Sequence, residues 1–325
     1  MKSSAPEDAV QAASHPTKPR LLVIAGPTAS GKTALAVEVC KRLQGEIISA
    51  DSMQVYKHLS VGTAKPTAAE LQGVPCHLID HVEPDEQYNL GRFVDEARHT
   101  VMEIHARGNL PVICGGTGMY IRGLLHGVFQ GGEPALEIRH ALEAEEQSSG
   151  LPALFAKLEA VDAESARRYG PNDRQRIIRA LEIFYATGKP LSEYHTQDLD
   201  QPDFAARIYV IRWPRQMLYD RINKRAEAML QNGLLDEIAR YLASGYEMTN
   251  PAVNALGYRE MIDVLRGQQT REVALDVMQR KSRNYAKRQE TWFRAVHDAV
   301  FLYAEGTSVE MLAEQVVSDW EKSGI

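Results

Sequence analysis

Apolar residues Leu21 to Ile24 form a short run that stops at Gly26, and from Ala34 to Leu43 the apolar positions return at helical spacing. That pattern predicts strand, glycine-rich turn, helix. Gly45 to Tyr56 predicts a second strand, with Ile47 and Ile48 as its apolar part and Asp51 where it should end. Cys76 to Val82 reads as a short third strand. Gly91 to Arg107 has helical spacing, with Phe93, Ala97, Val101 and Ile104 facing one way, and Leu110 to Cys114 is a strand running into Gly115 to Tyr120. From about Gly127 to Thr196 strand signals stop, and short helices are punctuated by Gly131-Gly132, Gly150, Pro171 and Gly188-Lys189-Pro190. Ala206 to Trp213 is a returning strand, followed by helices at Arg215 to Gly233 and Gly233 to Ala243; everything after these is expected to be helical. In the last patterned segment, Lys281 to Arg294, the residues Tyr285, Gln289 and Trp292 share one stripe, basic side chains share another, and Trp292 and Phe293 are expected in the core. Strands alternating with helices imply an α/β fold with a parallel sheet, carrying a helical insertion and a helical C-terminal region. The expected division is a flexible tail over 1–19, a core from 20–126 and 200–325, and a helical insertion over 127–199.

Composition changes this picture little. At 325 residues, 44% hydrophobic and 25% charged, the chain has room for one large domain and a smaller one. No stretch is long and apolar enough for a membrane span, and the first 19 residues lack the apolar centre of a secretory signal, so a cytoplasmic protein is expected. Cys40, Cys76 and Cys114 stand far apart in apolar sequence, as buried thiols of a reducing compartment would. The net charge of −6 argues against nucleic acid until its distribution is considered. Acid gathers in Glu83 to Glu86 and Glu133 to Glu146, whereas Arg280, Lys281, Arg283, Lys287, Arg288 and Arg294 face only Asp276 and Glu290 in their own segment. A basic strip survives the acidic average.

The stretch Gly26, Pro27, Thr28, Ala29, Ser30, Gly31, Lys32, Thr33 sits between a predicted strand and a predicted helix, the setting in which such spacing forms a phosphate cradle. The glycines let the backbone bend round an anion, the first N–H groups of the helix point at it, Lys32 adds charge, and Thr33 can hold Mg²⁺. Asp51, at the carboxyl end of its strand, belongs either to the ligand crevice near the cradle or to a turn for local reasons. The glycines around Thr117 either place backbone and a hydroxyl at the crevice edge or allow tight helix packing. Arg174, Arg176 and Arg179 form either a face for an anionic partner or a solvated helix surface.

Together these motifs resemble the tRNA dimethylallyltransferases. The resemblance runs through GPTASGKT, SADSMQVY, VGTAKP, GVPCHLID, GGTGMYIRGLL, NDRQRIIRALEIF, LYDRINKRAEAMLQNGLLDE, ALGYREM and YAKRQETWFR, nearly everything after residue 20. Cys76 stands where the family more often has histidine, and the stretch before Ala255-Leu256-Gly257-Tyr258 is atypical. A C-terminal cysteine-histidine zinc finger, found in many eukaryotic relatives, is missing, which points to the bacterial type. The resemblance implies a P-loop NTPase-like core, and transfer of a dimethylallyl group from its diphosphate to N6 of adenosine 37 in tRNAs reading codons that begin with U. It makes Asp51 the general base, with Lys32, Thr33 and Arg225 at the diphosphate. It places Asp51, Ser52, Met53, Gln54, Thr117, Arg139, Gln175, Arg176, Ile177, Ile178, Arg179, Asn254, Ala255, Leu256, Gly257, Tyr258, Arg259, Lys287, Arg288, Gln289 and Arg294 against the anticodon stem-loop, and suggests a monomer. No DDxxD motif occurs, so the cradle is the expected diphosphate site. A small-molecule P-loop kinase would use the same cradle for ATP, and the adenylate isopentenyltransferases prenylate free adenine nucleotides. A guanine-reading NKxD is absent, its nearest match being Asn223-Lys224-Arg225-Ala226.

Overall fold

The computed structural model describes residues 18–128, 135–195, 204–247 and 249–325. The tail expected over 1–19 falls outside these except for Lys18 and Pro19. The described residues separate into two compact units, one within 1–125 and 203–325, the other within 126–202.

The larger unit begins with β1 (Arg20–Ala25), α1 (Lys32–Leu43), β2 (Gly45–Ala50), α2 (Ala68–Leu71), β3 (Cys76–His77), α3 (Leu90–Ala106), β4 (Leu110–Gly115) and α4 (Gly118–His126). Helices α5 (Leu136–Ser149), α6 (Leu151–Val161), α7 (Ala163–Tyr169), α8 (Arg174–Thr187) and α9 (Leu191–His195) make the smaller unit. The larger one resumes with β5 (Ala205–Arg212), α10 (Arg215–Gln231), α11 (Leu234–Ala243), α12 (Tyr258–Leu265), α13 (Arg271–Arg294), β6 (Ala299–Tyr303) and α14 (Val309–Lys322).

All strand pairs are parallel, in the order β3-β2-β4-β1-β5-β6. The chain leaves β1 for β2, two places away, and later returns to β1's other side as β5. The carboxyl ends of β1 and β4 therefore flank a switch point, where an open α/β sheet leaves a crevice for ligands. Leu21 to Ala25 are wholly buried because helices cover both faces of the sheet, which explains the unbroken apolar run. One face packs Leu35, Val39 and Cys40 of α1 against Leu312, Val316 and Trp320 of α14.

Two expectations are corrected. The third strand shrinks to Cys76–His77, with Val82 reduced to a single bridge to Tyr56. The C-terminal region is not all helical: β6 joins the sheet edge, pairing Val210 with Phe301 and Ile211 with Leu302. Five residues between two long helices carry no alternation that would mark a strand, and only the open edge of β5 makes them one. Helix α14 is then fastened by Asp319, which accepts from Arg207 (2.9 and 3.1 Å) and from the Tyr209 hydroxyl (2.9 Å).

At the opposite end of the sheet from the crevice, the buried Glu46 carboxylate accepts from Arg107 (2.8 and 3.2 Å) and Asn109 (2.7 Å), with His77 at 2.6 Å. The Arg107 hydrogen bonds, opposed by burial and helped by Asn109 and His77, hold its pKa at about 2 against an ordinary 4.5. A depressed carboxylate stabilises the fold fully above its unfolded value and loses that contribution as pH falls towards the folded one. Urea midpoints measured from pH 5 to pH 2 are therefore expected to fall more steeply for the native chain than for Glu46→Gln. The difference should be on the order of 2 kcal/mol, and parallel curves would show that the cluster contributes no acid sensitivity.

Candidate active site

Between β1 and α1 the loop Gly26 to Gly31 turns through left-handed conformations at Ala29 (φ 63°) and Gly31 (φ 93°). A non-glycine residue held there stores strain, so the shape has to be supported from outside. Support comes from distant residues: Trp213 donates its indole N–H to Ser30 O (2.9 Å), Arg221 donates to Ala29 O (2.8 Å), and Arg225 donates to the Thr28 hydroxyl. Arg221 also stacks on Trp213, 4.4 Å from the ring centre. Within α1, Leu35 is the first residue whose N–H is met from the loop, by Gly31 O at 3.2 Å; those of Lys32, Thr33 and Ala34 face the anion position of a helix start.

A cavity of about 80 Å³ opens there, lined by Thr28, Lys32, Thr33, Asp51, Gln54, Cys76, Cys114, Arg225, Tyr285 and Gln289, among others. Burial pushes the Lys32 pKa down, Arg225 adds to this, and Cys114 and Asp51 oppose it. Burial likewise lowers that of Arg225, with Asp51 opposing. Two half-buried cations beside one carboxylate make a site short of negative charge. Burial raises the Cys114 thiol to about 11 and Cys76 to about 12, so both are neutral thiols near pH 7. A second cavity, of about 260 Å³, shares Thr28, Asp51, Thr63, Arg225 and Tyr285 with the first and adds the apolar side chains of Met53, Ile222, Met229, Leu256 and Met278.

Both readings of Asp51 hold together. Its Oδ1 accepts from the N–H groups of Met53 (2.9 Å) and Gln54 (3.3 Å), a local turn, while the residue lines both cavities. Of the glycines around Thr117, Gly115 lines the smaller cavity, whereas Thr117 itself lines neither. The Thr117 hydroxyl accepts from Ser52 N–H (3.3 Å), tying the turn after β4 to the one after β2. A Cβ on Gly118 would lie 2.3 Å from the Trp292 ring, so the glycine also serves close packing by α13.

The remaining candidates separate. Ser52, Met53, Asn254, Ala255, Leu256 and Arg288 line the larger cavity. Gln54 turns its amide onto Thr63 O and Ala64 O (3.1 and 3.0 Å) and braces the cavity wall. Gly257 starts α12 at φ 94°, packed against Met278, and Arg259 is exposed, donating to Asn254 (3.2 Å). Lys287, Arg288 and Arg294 are exposed and have no acidic partner among the described residues, whereas Lys281 is paired with Glu260 and Arg283 donates to Asn223 (2.7 Å). In the smaller unit Arg139 and Arg179 both hold the buried Glu182 (3.2 and 2.7 Å), and Gln175 and Arg176 are exposed. Six residues expected at a tRNA surface are buried: Ile177 and Ile178 pack in the core of the smaller unit, Ala255 and Gly257 are covered just before α12, Tyr258 donates its hydroxyl to Glu237 (2.6 Å), and Gln289 faces inward. A run of consecutive helical residues cannot all face one partner, since the side chains turn through 100° at each step.

Three further residues shape the site. Arg221 lies four before Arg225, a spacing that puts both on one face of α10 and was a legible signal. Trp213 had none. Glu237, buried in α11, accepts from the N–H groups of Ser60 and Val61 (2.7 Å each) and Gly62 (3.1 Å), fixing the loop that carries Thr63 into the cavities. Its pattern was that of an ordinary helix-surface acid.

The chain matches the IPP transferase family over residues 54–296 and the isopentenyl transferase family over 19–83. It is 43% identical over 301 residues to the tRNA dimethylallyltransferase of Syntrophobacter fumaroxidans, covering 92% of this chain and 87% of that protein. Among solved structures, the tRNA delta(2)-isopentenylpyrophosphate transferase of Staphylococcus epidermidis superposes with a TM-score of 0.70 at 37% identity, covering 94% of this chain and all of that one (100%). A eukaryotic dimethylallyltransferase acting on tRNA gives a TM-score of 0.80 at 27% identity, covering 94% of this chain and 80% of the other.

Proposed function

The chain belongs to the tRNA dimethylallyltransferase family, and from that premise we propose that its two joined cavities bring dimethylallyl diphosphate and an adenosine of tRNA together at Asp51. The enzyme transfers a dimethylallyl group to tRNA. The observation that carries the assignment of parts is the smaller cavity, where Thr28, Lys32, Thr33 and Arg225 stand against Asp51. The diphosphate lies on the helix start, Lys32 and Arg225, which offset its charge as the allylic C–O bond breaks. The adenine amino group is a weak nucleophile because its lone pair is delocalised into the ring. As its nitrogen bonds to the allylic carbon, Asp51 takes the proton it loses and diphosphate departs. The apolar side chains of the larger cavity exclude water from the base and the isoprenoid.

The Thr33 hydroxyl, on the wall of the smaller cavity, would hold Mg²⁺ beside the diphosphate, an oxygen donor of the kind this cation takes. When bound, the ion supplies further charge neutralisation at the leaving group. The acceptor atom is N6 of adenosine 37, in tRNAs reading codons that begin with U; an adenosine stacked in the anticodon loop has to be extruded to enter. Among the described residues no helix is long and apolar enough to cross a membrane. On this reading the enzyme meets its tRNA in the cytoplasm, as a monomer.

Binding of dimethylallyl diphosphate, ATP and an anticodon stem-loop, run side by side with Mg²⁺, tests this reading. Tight binding of the first and third without ATP turnover is expected; ATP hydrolysis with no binding of the prenyl donor would overturn it in favour of a kinase. The exposed cations of α13 give a separate expectation. Reversing Lys287 and Arg294 to Glu should weaken stem-loop binding and flatten its logarithmic salt dependence by about one unit for each phosphate no longer neutralised, with donor affinity unchanged. An unaltered salt slope would make these residues a solvated helix face.

A further inference from the structure

We propose that Gln289 is a positioning residue of the diphosphate cradle, not a tRNA contact. The inference rests on the reading that the cradle takes the prenyl diphosphate. Gln289 is only 6% exposed, and both ends of its amide are engaged inside the protein. Its Oε1 accepts from Thr28 N–H (2.8 Å) and its Nε2 donates to Gly116 O (2.9 Å). The reversed amide would set N–H against N–H and oxygen against oxygen, so the two bonds fix its orientation.

The close approach that permits this is built in. A Cβ on Gly116 would lie 2.4 Å from the Gln289 amide nitrogen, so a larger residue in that turn would displace the Gln289 amide from its place between Thr28 and Gly116. Tethers from Trp213 and Arg221 hold carbonyl groups of the loop, whereas Gln289 holds an N–H and joins the loop after β1 to the turn after β4. Since Ala29 keeps the loop in a strained conformation, releasing Thr28 lets the cradle relax before the anion arrives. Binding then has to restore the shape, which lowers affinity for the donor. The amides of the loop and of the helix thereby divide their tasks. The Thr28 N–H is already used, so the diphosphate is served by the amides at the start of α1. The outward side of the same α13 helix carries Lys287, Arg288 and Arg294, which explains how a residue within a tRNA-facing segment serves the other substrate.

Gln289→Met keeps the length of the side chain and removes both bonds. Calorimetry with dimethylallyl diphosphate and with an anticodon stem-loop, together with steady-state kinetics, is expected to show donor Kd and KM raised about tenfold. Stem-loop affinity should stay within about twofold, and kcat should change less than KM. Loss of stem-loop affinity with intact donor binding would overturn the proposal, as would equal loss of both with a lowered Tm. Failure of the native protein itself to bind the donor would instead sink the functional reading. An observation on the unmutated enzyme decides the matter if the variant does not fold. The Thr28 amide should be protected from hydrogen exchange in the free protein and unaffected by pyrophosphate, while those of Lys32 and Thr33 gain protection; free exchange at Thr28 would overturn the assignment.

Discussion

Asp51→Asn is expected to lower the single-turnover rate of prenyl transfer by about 10² to 10⁴ while leaving both substrates bound. The structure makes this substitution unusually clean. One carboxylate oxygen of Asp51 accepts the N–H groups of Met53 and Gln54, and an asparagine oxygen can take over both, so the turn and the walls of both cavities survive. The second oxygen becomes an NH₂ group, which hydrogen-bonds but does not accept the proton that the adenine amine must lose. A fall in kcat with unchanged affinities is the signature of an interaction made only in the transition state. A near-native rate would reduce Asp51 to its turn, and the base would have to be another group on the cavity wall.

Lys32→Ala should cost transfer about 10² to 10³ in kcat/KM, with part of the loss in donor affinity. Lys32 is a cation without a saturating partner: its ammonium reaches Pro27 O at 3.4 Å, and it forms no ion pair among the described residues. Burial lowers its pKa, and a bound diphosphate would favour the charged form by pairing with it. Alanine removes that response and leaves Arg225, itself tied to Thr28, as the cavity's remaining cation. Measurement of kcat/KM against donor concentration checks this, and a variant within about threefold of the native enzyme would exclude Lys32 from neutralising the leaving group. The comparison with Gln289→Met is informative, because that variant disturbs the cradle without touching its charge.

The cradle was legible because every requirement is local. Strand, glycine turn, lysine, hydroxyl and helix follow one another within Leu21 to Leu43, and the spacing alone brings amides and ammonium to one point. The carboxyl-end position of Asp51 was legible for a similar reason, since it needs only a strand that stops at Ala50. Harder cases were those in which a side chain's direction depends on a partner far along the chain. Ile177 and Ile178 sit between arginines in a basic helix, yet the core of the smaller unit takes both. Gln289 looked like its exposed neighbours Lys287 and Arg288, although its stripe with Tyr285 and Trp292 already pointed inward. Strand β6 had no alternation of its own and exists because β5 offers an unpaired edge.

By itself, then, the sequence determined the α/β class, the phosphate cradle, the carboxylate at the end of β2 and the basic strip, all of which arise from spacing within about twenty residues. The tertiary structure alone decided which long-range groups complete the site. Trp213, Arg221, Arg225 and Gln289 reach the loop from positions more than 180 residues away in sequence. Such contacts depend on sheet order and on which glycines let α13 come close, and neither is encoded in any local period. The physical reason is that a strained loop cannot hold its own shape. The residues that hold it are chosen by where the packed helices place them, so only the folded chain reveals that Trp213 and Gln289 are among them.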